Sequence, residues 1–143
     1  MPGTQQEVQI SVSPEDFFGV ITDYESYPEF LDEMEDAKVL SRSGNTSEVQ
    51  FTVQLIKRVT YTLVLIENRP ESVTWSLKEG PFKVSNGSWY LERLSDGSTR
   101  AQYEVEVKVA AFVPKSVSSR IVGKTVPALL AAFKGRAEML HSR

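Results

Sequence analysis

Cysteine is absent and histidine almost absent, and these absences exclude several kinds of catalytic and metal-binding site. The chain has 143 residues, no cysteine, and one histidine, His141, which stands two residues from the C-terminus. Without thiols there is no disulfide framework, thiolate zinc site or cysteine nucleophile. With the single histidine in the tail, a catalytic triad, a histidine-cluster metal site and a histidine general base elsewhere are excluded. We predict no catalytic residues, no metal and no cofactor, and we expect His141 to be exposed.

Long apolar segments and glycine-rich phosphate loops are also missing. The apolar stretch at residues 126–133 is interrupted by Pro127 and is far shorter than the ~20 residues that span a bilayer. The first residues have neither the basic region nor the apolar run of a secretion signal. Gly80 and Gly87 are separated by strand-like residues, which argues against a nucleotide enzyme. These features predict a cytoplasmic protein without a transmembrane segment.

The composition that remains is that of one folded domain. A hydrophobic fraction of 41% and a charged fraction of 24% allow a packed core, and we predict a single domain over residues 1–143. Net charge is −3 but uneven: residues 23–36 carry seven acids and no base, whereas residues 115–143 carry six bases and one acid. We interpret both segments as solvated faces, although opposite charges can also attract each other.

The N-terminal part predicts a strand followed by two short helices. Alternating apolar residues at Val8–Val12 indicate a half-buried strand. Ser13 before Pro14 is typical of a helix N-cap followed by proline in the first turn. Pro28 predicts a second helix from Pro28 to about Met34, with Tyr27 and Phe30 as packing anchors.

Six further strands follow from period-two alternation. They are predicted at residues 37–41, near 49–55, 59–65 and 73–77, and at 82–94 and 101–109. Residues 95–98, Ser-Asp-Gly-Ser, are the clearest hairpin turn. In the strand at 82–94 the apolar positions change from even to odd numbers, so we predict a β-bulge at Asn86–Gly87.

The C-terminal part changes to helical periodicity. A long helix is predicted from about Pro114, with a kink near residues 124–126 because Pro127 removes one hydrogen bond. Its apolar stripe comprises Val117, Ile121, Leu129, Phe133, Ala137 and Leu140, joined by Val113, Val122, Val126 and Leu130. The order of elements predicts an α+β fold: a curved seven-stranded antiparallel sheet wrapped around the long C-terminal helix, with two short helices after strand 1.

Four motifs carry a resemblance to a known family. They are residues 23–30 (D-x-x-x-Y-P-x-F), Gly87-Ser88-Trp89, residues 97–100 (Gly-Ser-Thr-Arg), and Val126-Pro127-Ala128-Leu129 with Phe133-Lys134. In their order and spacing the chain resembles the START-like, or SRPBCC, superfamily with its helix-grip fold, and most of all its polyketide cyclase and coenzyme Q-binding branch. The resemblance implies a cavity between sheet and helix that holds an apolar small molecule.

The candidate binding residues are the side chains expected to face that cavity. They are Tyr61, Leu63, Trp75, Leu77, Phe82, Trp89, Tyr103, Val105, Val126, Leu130 and Phe133. Trp75 and Trp89 either fill a core or wall a cavity. A dry cavity of ~300 Å³, the low end for ligand sites, would cost ~7 kcal/mol, so a large cavity should be occupied, wet or partly collapsed. Its mouth is expected between the long helix, the loop at residues 79–82 and the short helices.

Three functions remain open from the sequence. The first is a binding or carrier protein for a lipid, a quinone or a polyketide-like ring. The second is an enzyme of the cyclase or aromatase type, in which Tyr61 or Tyr103 binds a carbonyl or acts as a weak acid. The third, implied by resemblance to ribosome-binding toxins of the same branch, is a ribosome-associated inhibitor, against which the acidic pI of about 5.3 argues. The oligomeric state is not predicted.

Overall fold

A computed structural model of the chain describes residues 3–54, 58–80, 82–109 and 126–141. The side chains of residues 3, 4, 82, 83, 107–109 and 126 are outside this description. The described residues form strands β1 (Gly3–Ile10), β2 (Met34–Ser43), β3 (Thr46–Gln54), β4 (Arg58–Asn68), β5 (Ser72–Glu79), β6 (Phe82–Arg93) and β7 (Thr99–Val109). They also form helix α1 (Pro14–Ile21), a 3₁₀ helix (Tyr24–Glu29) and helix α2 (Val126–His141).

The strands of the described residues pair into one sheet of seven strands in the order β1-β7-β6-β5-β4-β3-β2. Every pairing is antiparallel. Consecutive strands are neighbours except for β1, which pairs with β7, so β1 and β2 lie at opposite edges of the sheet. The predicted α+β class, the seven strands and the C-terminal helix are confirmed.

Helix α1 begins where the sequence predicts. The Ser13 hydroxyl accepts a hydrogen bond of 3.2 Å from the Asp16 backbone N–H, and Pro14 occupies the first turn. Such a cap satisfies one of the backbone donors that the first helical turn leaves unpaired. Because Phe17, Phe18, Val20 and Ile21 are buried, the helix closes one end of the core.

The second predicted helix is wrong in its bounds. The chain forms a 3₁₀ helix at Tyr24–Glu29 with Pro28 inside it, and Met34 already begins β2. Residues three apart lie on the same side of a 3₁₀ helix, so Tyr24 and Tyr27 are buried together. The Tyr24 hydroxyl donates to the Glu67 carboxylate at 2.8 Å, and the Tyr27 hydroxyl donates to the Ile21 carbonyl oxygen. Burial of these two rings outweighs the helix-starting preference of Pro28.

The predicted bulge at Asn86–Gly87 is also wrong. Strand β6 pairs with β7 in unbroken register from Val84 to Arg93, and the irregularity lies between Phe82 and Val84. Gly87 faces the core, and the Trp75 ring fills the space over it: a Cβ atom there would lie 2.6 Å from the ring and closer still to the Glu104 carbonyl oxygen. The phase change therefore falls at the irregularity between Phe82 and Val84, and Gly87 lies in regular register beyond it.

Strand β2 is longer than the predicted Ala37–Ser41. It runs over Met34–Ser43, with register irregularities between Met34 and Asp36 and between Val39 and Ser41. These irregularities break the alternation on which the shorter prediction rested. As an edge strand, β2 presents unpaired backbone groups, which proteins commonly protect with bulges and side chains. Here the Glu25 carboxylate accepts the Val39 backbone N–H at 3.1 Å.

The hairpin turn between β6 and β7 is confirmed. The Leu94 N–H donates to the Ser98 carbonyl at 2.9 Å, and Gly97 adopts φ +86°, which favours glycine. The Asp96 carboxylate accepts hydrogen bonds from the side chain and the backbone N–H of Ser98. Both bonds lower the pKa of Asp96, and the bond from the Ser98 side chain contributes most.

Helix α2 is described from Val126, so the predictions for residues 110–125, including the helix start at Pro114 and the kink, lie outside the described residues. Within α2, Leu130, Phe133 and Ala137 are buried as predicted. Leu140 contradicts the prediction because it is 52% exposed. Leu140 lies in the last turn of α2 and is turned to solvent. His141 is exposed as expected, and its Nδ1 lies 3.8 Å from the Asp16 carboxylate of α1.

Substitution of Gly87 tests the packing of Trp75. We expect Gly87→Ala to lower the free energy of unfolding by about 1–3 kcal/mol, because the new methyl group overlaps the Trp75 ring and the β7 backbone. The matched control is Gly19→Ala on α1, where no atom lies within 4 Å of the new methyl group. It should raise stability by about 0.5–1 kcal/mol. Urea unfolding measures both, and equal effects of the two substitutions would contradict the close packing.

Candidate ligand-binding site

The inner face of the sheet meets α2 through aromatic rings. Trp89 of β6 lies at the centre, with ring centroids 5.4 Å from Phe17, 4.7 Å from Tyr103 and 5.5 Å from Phe133. Edge-to-face and offset contacts at such distances contribute about 0.5–1.5 kcal/mol beyond the burial itself. Trp89 therefore links α1, the sheet and α2.

The same network extends in two directions across the sheet. Trp75 lies 5.7 Å from Tyr103, which continues the aromatic surface onto β5. From Phe133, contacts of 5.1 Å reach both Tyr27 and Phe30. Tyr27 stacks on Phe51 at 5.8 Å, and Phe51 lies 5.7 Å from Tyr61. The result is one continuous aromatic surface between sheet and helix.

Strand register explains why these side chains share a face. Trp89 pairs with Tyr103, Trp75 pairs with Gly87, and Phe51 pairs with Tyr61. Directly paired residues project to the same side of an antiparallel sheet. The odd-numbered positions of β3 to β7 thus supply the inner face, as the alternation predicts.

Charge also ties α2 to the acid-rich segment. Arg136 forms an ion pair of 2.7 Å with Glu29 and lies 5.2 Å over the Phe30 ring. Lys134 donates to the Gln9 carbonyl oxygen at 2.9 Å, and Glu138 accepts the Ser11 backbone N–H at 2.9 Å. The attraction between the acidic and basic segments, open from the sequence, is realised here at Glu29 and Arg136.

Nine of the eleven predicted site residues can be placed on or against this inner surface. Six are buried and three half-buried: Leu63, Trp89, Tyr103, Val105, Leu130 and Phe133, then Tyr61, Trp75 and Leu77. The side chains of Phe82 and Val126 are outside the described residues. The half-buried residues mark the β4–β5 end of the surface. There Gly80, at φ +150°, brings its backbone so close that a Cβ atom would lie 2.6 Å from the Tyr61 Cβ.

Four aromatic residues of the surface were not among the predicted site residues. Tyr27 and Phe30 were expected only as packing anchors, and their ring contacts confirm that role. Phe17 and Phe51 were not singled out for the site. Phe51 could have been found from its place in the alternation of β3, which puts it in phase with Val49 and Val53.

The buried residues of the described structure carry no charge. Their polar members are serines and threonines, and the titratable groups inside are tyrosines. Burial raises the pKa of Tyr61 to about 12. Burial also raises the pKa of Tyr27 and Tyr103, with a smaller contribution from the neighbouring tyrosines. These phenols stay protonated at neutral pH and act as hydrogen-bond donors, not bases; the Tyr27 hydroxyl already donates to the Ile21 carbonyl oxygen.

The described residues show no arrangement for a metal ion and no membrane helix. No group of three or more His, Cys, Asp or Glu side chains within them is placed to hold a metal. Among the same residues, no helix has the length and hydropathy to cross a bilayer. What the inner surface can do chemically is enclose an apolar molecule and donate hydrogen bonds to it.

Alkaline titration tests the burial of the tyrosines. We expect Tyr24, Tyr27, Tyr61 and Tyr103 of the native protein to resist ionisation at their ordinary pKa of 10.0. Since the unfolded chain loses these protons first, the stability that holds below pH 10 is lost as pH rises towards about 12, the pKa of Tyr61. Ultraviolet absorbance of tyrosinate, with and without denaturant, measures this. Normal ionisation of these four in the native state would contradict their burial.

Comparison with known proteins agrees with this geometry. The ribosome association toxin RatA of Vibrio cholerae is 24% identical over 143 residues, which cover 99% of each chain. A START superfamily protein from Mycobacterium smegmatis superposes with a TM-score of 0.86 at 22% identity, over 97% of this chain and 99% of that one. The Zhui aromatase/cyclase from Streptomyces sp. R1128 gives 0.82 at 15% identity, over 98% and 96%. These likenesses confirm the START-like, helix-grip fold.

A family model connects the fold to a wider group. The model described as "Polyketide cyclase / dehydrase and lipid transport" matches residues 10–134, from the end of β1 into α2. The matched segment contains the predicted site residues and all the rings of the aromatic surface. The chain therefore belongs to the polyketide cyclase/dehydrase and lipid transport family.

Proposed function

We propose that this protein binds or carries a small hydrophobic molecule between the inner face of its sheet and α2. The observation that carries the proposal is the continuous aromatic surface, which is buried at Trp89 and Phe133 but only half-buried at Tyr61, Trp75 and Leu77. Family membership supports it, because the family includes lipid transport. A single domain over residues 1–143 and a cytoplasmic location remain part of this proposal.

Energetics support an occupant at the half-buried end. Each Å² of apolar surface removed from water contributes about 25 cal/mol, and the half-buried side chains of Trp75 and Leu77 leave such surface uncovered. A ligand lying against them would recover this contribution without displacing the buried contacts around Trp89. Binding sites for small molecules are commonly apolar surfaces of this kind with few polar groups.

We favour binding over catalysis on the character of the buried groups. The buried residues that the structure describes include no carboxylate, imidazole or amine that could serve as a general acid or base near neutral pH. The tyrosines, with their raised pKa, are weak acids at most. Likeness to the Zhui aromatase/cyclase, at 15% identity, supports the shared fold. A cyclase-type activity would depend on shaping a reactive chain rather than on proton transfer.

Native mass spectrometry of freshly purified protein tests the proposal directly. We expect a copurified lipophile, or a complex after incubation with neutral apolar compounds. Solvent extraction of the same sample would identify the class of any ligand. A protein that neither carries nor takes up any lipophile, together with a fully packed interior in solution, would refute this function.

A charge at the half-buried end should weaken binding. We expect Leu77→Glu to weaken binding of the neutral dye Nile red at least about tenfold, because burying an unpaired carboxylate against apolar surface is unfavourable. The matched control is Leu40→Glu on edge strand β2, where the leucine is 50% exposed. Dye fluorescence measures affinity, and thermal unfolding verifies the fold of both variants. Equal losses in the two variants would place the dye elsewhere.

Ribosome association is the second candidate, and one observation favours it: the likeness to RatA covers 99% of both chains. The basic residues Lys134 and Arg136 of α2 already have partners within the protein, which argues against an RNA-binding face on this helix. Arg136 is paired with Glu29, and Lys134 is bonded to the Gln9 carbonyl oxygen and lies near Glu138. Sedimentation of the protein with ribosomes in a sucrose gradient tests this function. Absence from the ribosomal fractions, with no growth arrest on overexpression, would dismiss it.

A further inference from the structure

We propose that the ligand is neutral where it is buried and carries a hydrogen-bond acceptor, such as a ketone or ester oxygen, opposite the Tyr103 hydroxyl. This inference rests on the proposed function, since it names the class of ligand for the same surface. It separates neutral carbonyl compounds both from pure hydrocarbons and from free carboxylates.

Tyr103 lies where the buried and the half-buried parts of the aromatic surface meet. Its ring contacts Trp75 at 5.7 Å and Trp89 at 4.7 Å, between the half-buried and the buried parts of the surface. The residue is 7% exposed, yet its hydroxyl makes no hydrogen bond to any residue that the structure describes. Every fully enclosed side-chain nitrogen or oxygen of those residues has a partner. The Tyr103 hydroxyl is therefore not sealed in the packing.

Hydrogen bonding at Tyr103 favours a ligand that carries an acceptor. A buried hydroxyl is most stable with a partner, and leaving it without one costs about 1–3 kcal/mol. Burial raises the pKa of Tyr103, and electrostatic interaction with Tyr61 adds to this shift. Burial keeps both phenols protonated, with the pKa of Tyr61 at about 12. A ligand oxygen that accepts a hydrogen bond would satisfy Tyr103, whereas a hydrocarbon would not.

The uncharged interior favours a ligand that is neutral where it is buried. None of the buried residues in the described ranges is charged, so a buried carboxylate or amine on the ligand would find no counter-ion among them. An unpaired buried charge is costly, and in practice it is avoided or neutralised. Any charged group of the ligand must therefore lie in a part of it that stays in contact with water.

Three naphthalene probes of one size test the inference: acetylnaphthalene, ethylnaphthalene and naphthoate. We expect the wild-type protein to bind the ketone and the hydrocarbon, and to bind the carboxylate at least about tenfold more weakly than the ketone. Tyr103→Phe keeps the ring and removes the hydroxyl. This substitution should lower the affinity for the ketone, relative to the affinity for the hydrocarbon, about fivefold. Tyr90→Phe, at a 49% exposed position, is the control and should leave the ratio unchanged.

The outcomes separate this inference from the proposed function. If none of the three probes binds, the proposed function fails. If the probes bind but Tyr103→Phe leaves the ratio unchanged, or naphthoate binds as tightly as the ketone, the ligand class is wrong while the binding function stands. Should Tyr103→Phe not fold, the infrared carbonyl band of acetylnaphthalene bound to wild-type protein decides. A shift to lower frequency supports the hydrogen bond, and a band as in hydrocarbon solvent overturns it.

Discussion

The contact between Trp89 and Phe133 holds the sheet and the helices together. It joins the middle of the sheet to α2 at 5.5 Å, and each ring then contacts a further element: Trp89 reaches Phe17 of α1, and Phe133 reaches Tyr27 of the 3₁₀ helix. Because both residues are buried, the pair fixes how closely helix and sheet approach. That separation decides whether the interior near it is packed or can admit a ligand.

The two ends of the inner surface are built differently. Around Trp89 and Phe133, edge-to-face rings fill the space, and the helices close it. Toward β5 the Trp75 ring lies over Gly87, and the residues beyond it are only half-buried. One glycine therefore sets the depth at which Trp75 sits, and Trp75 in turn flanks Tyr103, the polar group that an occupant would meet. The packing of Trp75 over Gly87 therefore also positions the ring beside the hydrogen-bonding group of Tyr103.

Much of the fold follows from periodicity, because the alternation of β3, β4 and β7 and the cap at Ser13 are local signals. The errors arose where tertiary packing overrides local preference. Pro28 suggested a helix start, but burial of Tyr24 and Tyr27 moved the helix forward. The alternation near Gly87 suggested a bulge there, but the Trp75 ring packs over Gly87 in regular register, and the irregularity lies between Phe82 and Val84. The residues on the inner face of the strands could be predicted from their alternation. The contribution of Phe17 could not, because it depends on where α1 packs against the sheet, and local sequence does not determine that.

NMR titration can show whether a neutral apolar molecule lies against the inner surface near Trp75. The chain has two tryptophans, Trp75 and Trp89, so a two-dimensional ¹⁵N NMR spectrum resolves one indole N–H signal from each. On titration with a neutral apolar ketone, we expect saturable shifts of both indole signals and of the backbone amides of β5 and β7 around Trp75 and Tyr103. Shifts confined to the outer face around Ile66 and Tyr90, with both indole signals unmoved, would contradict it.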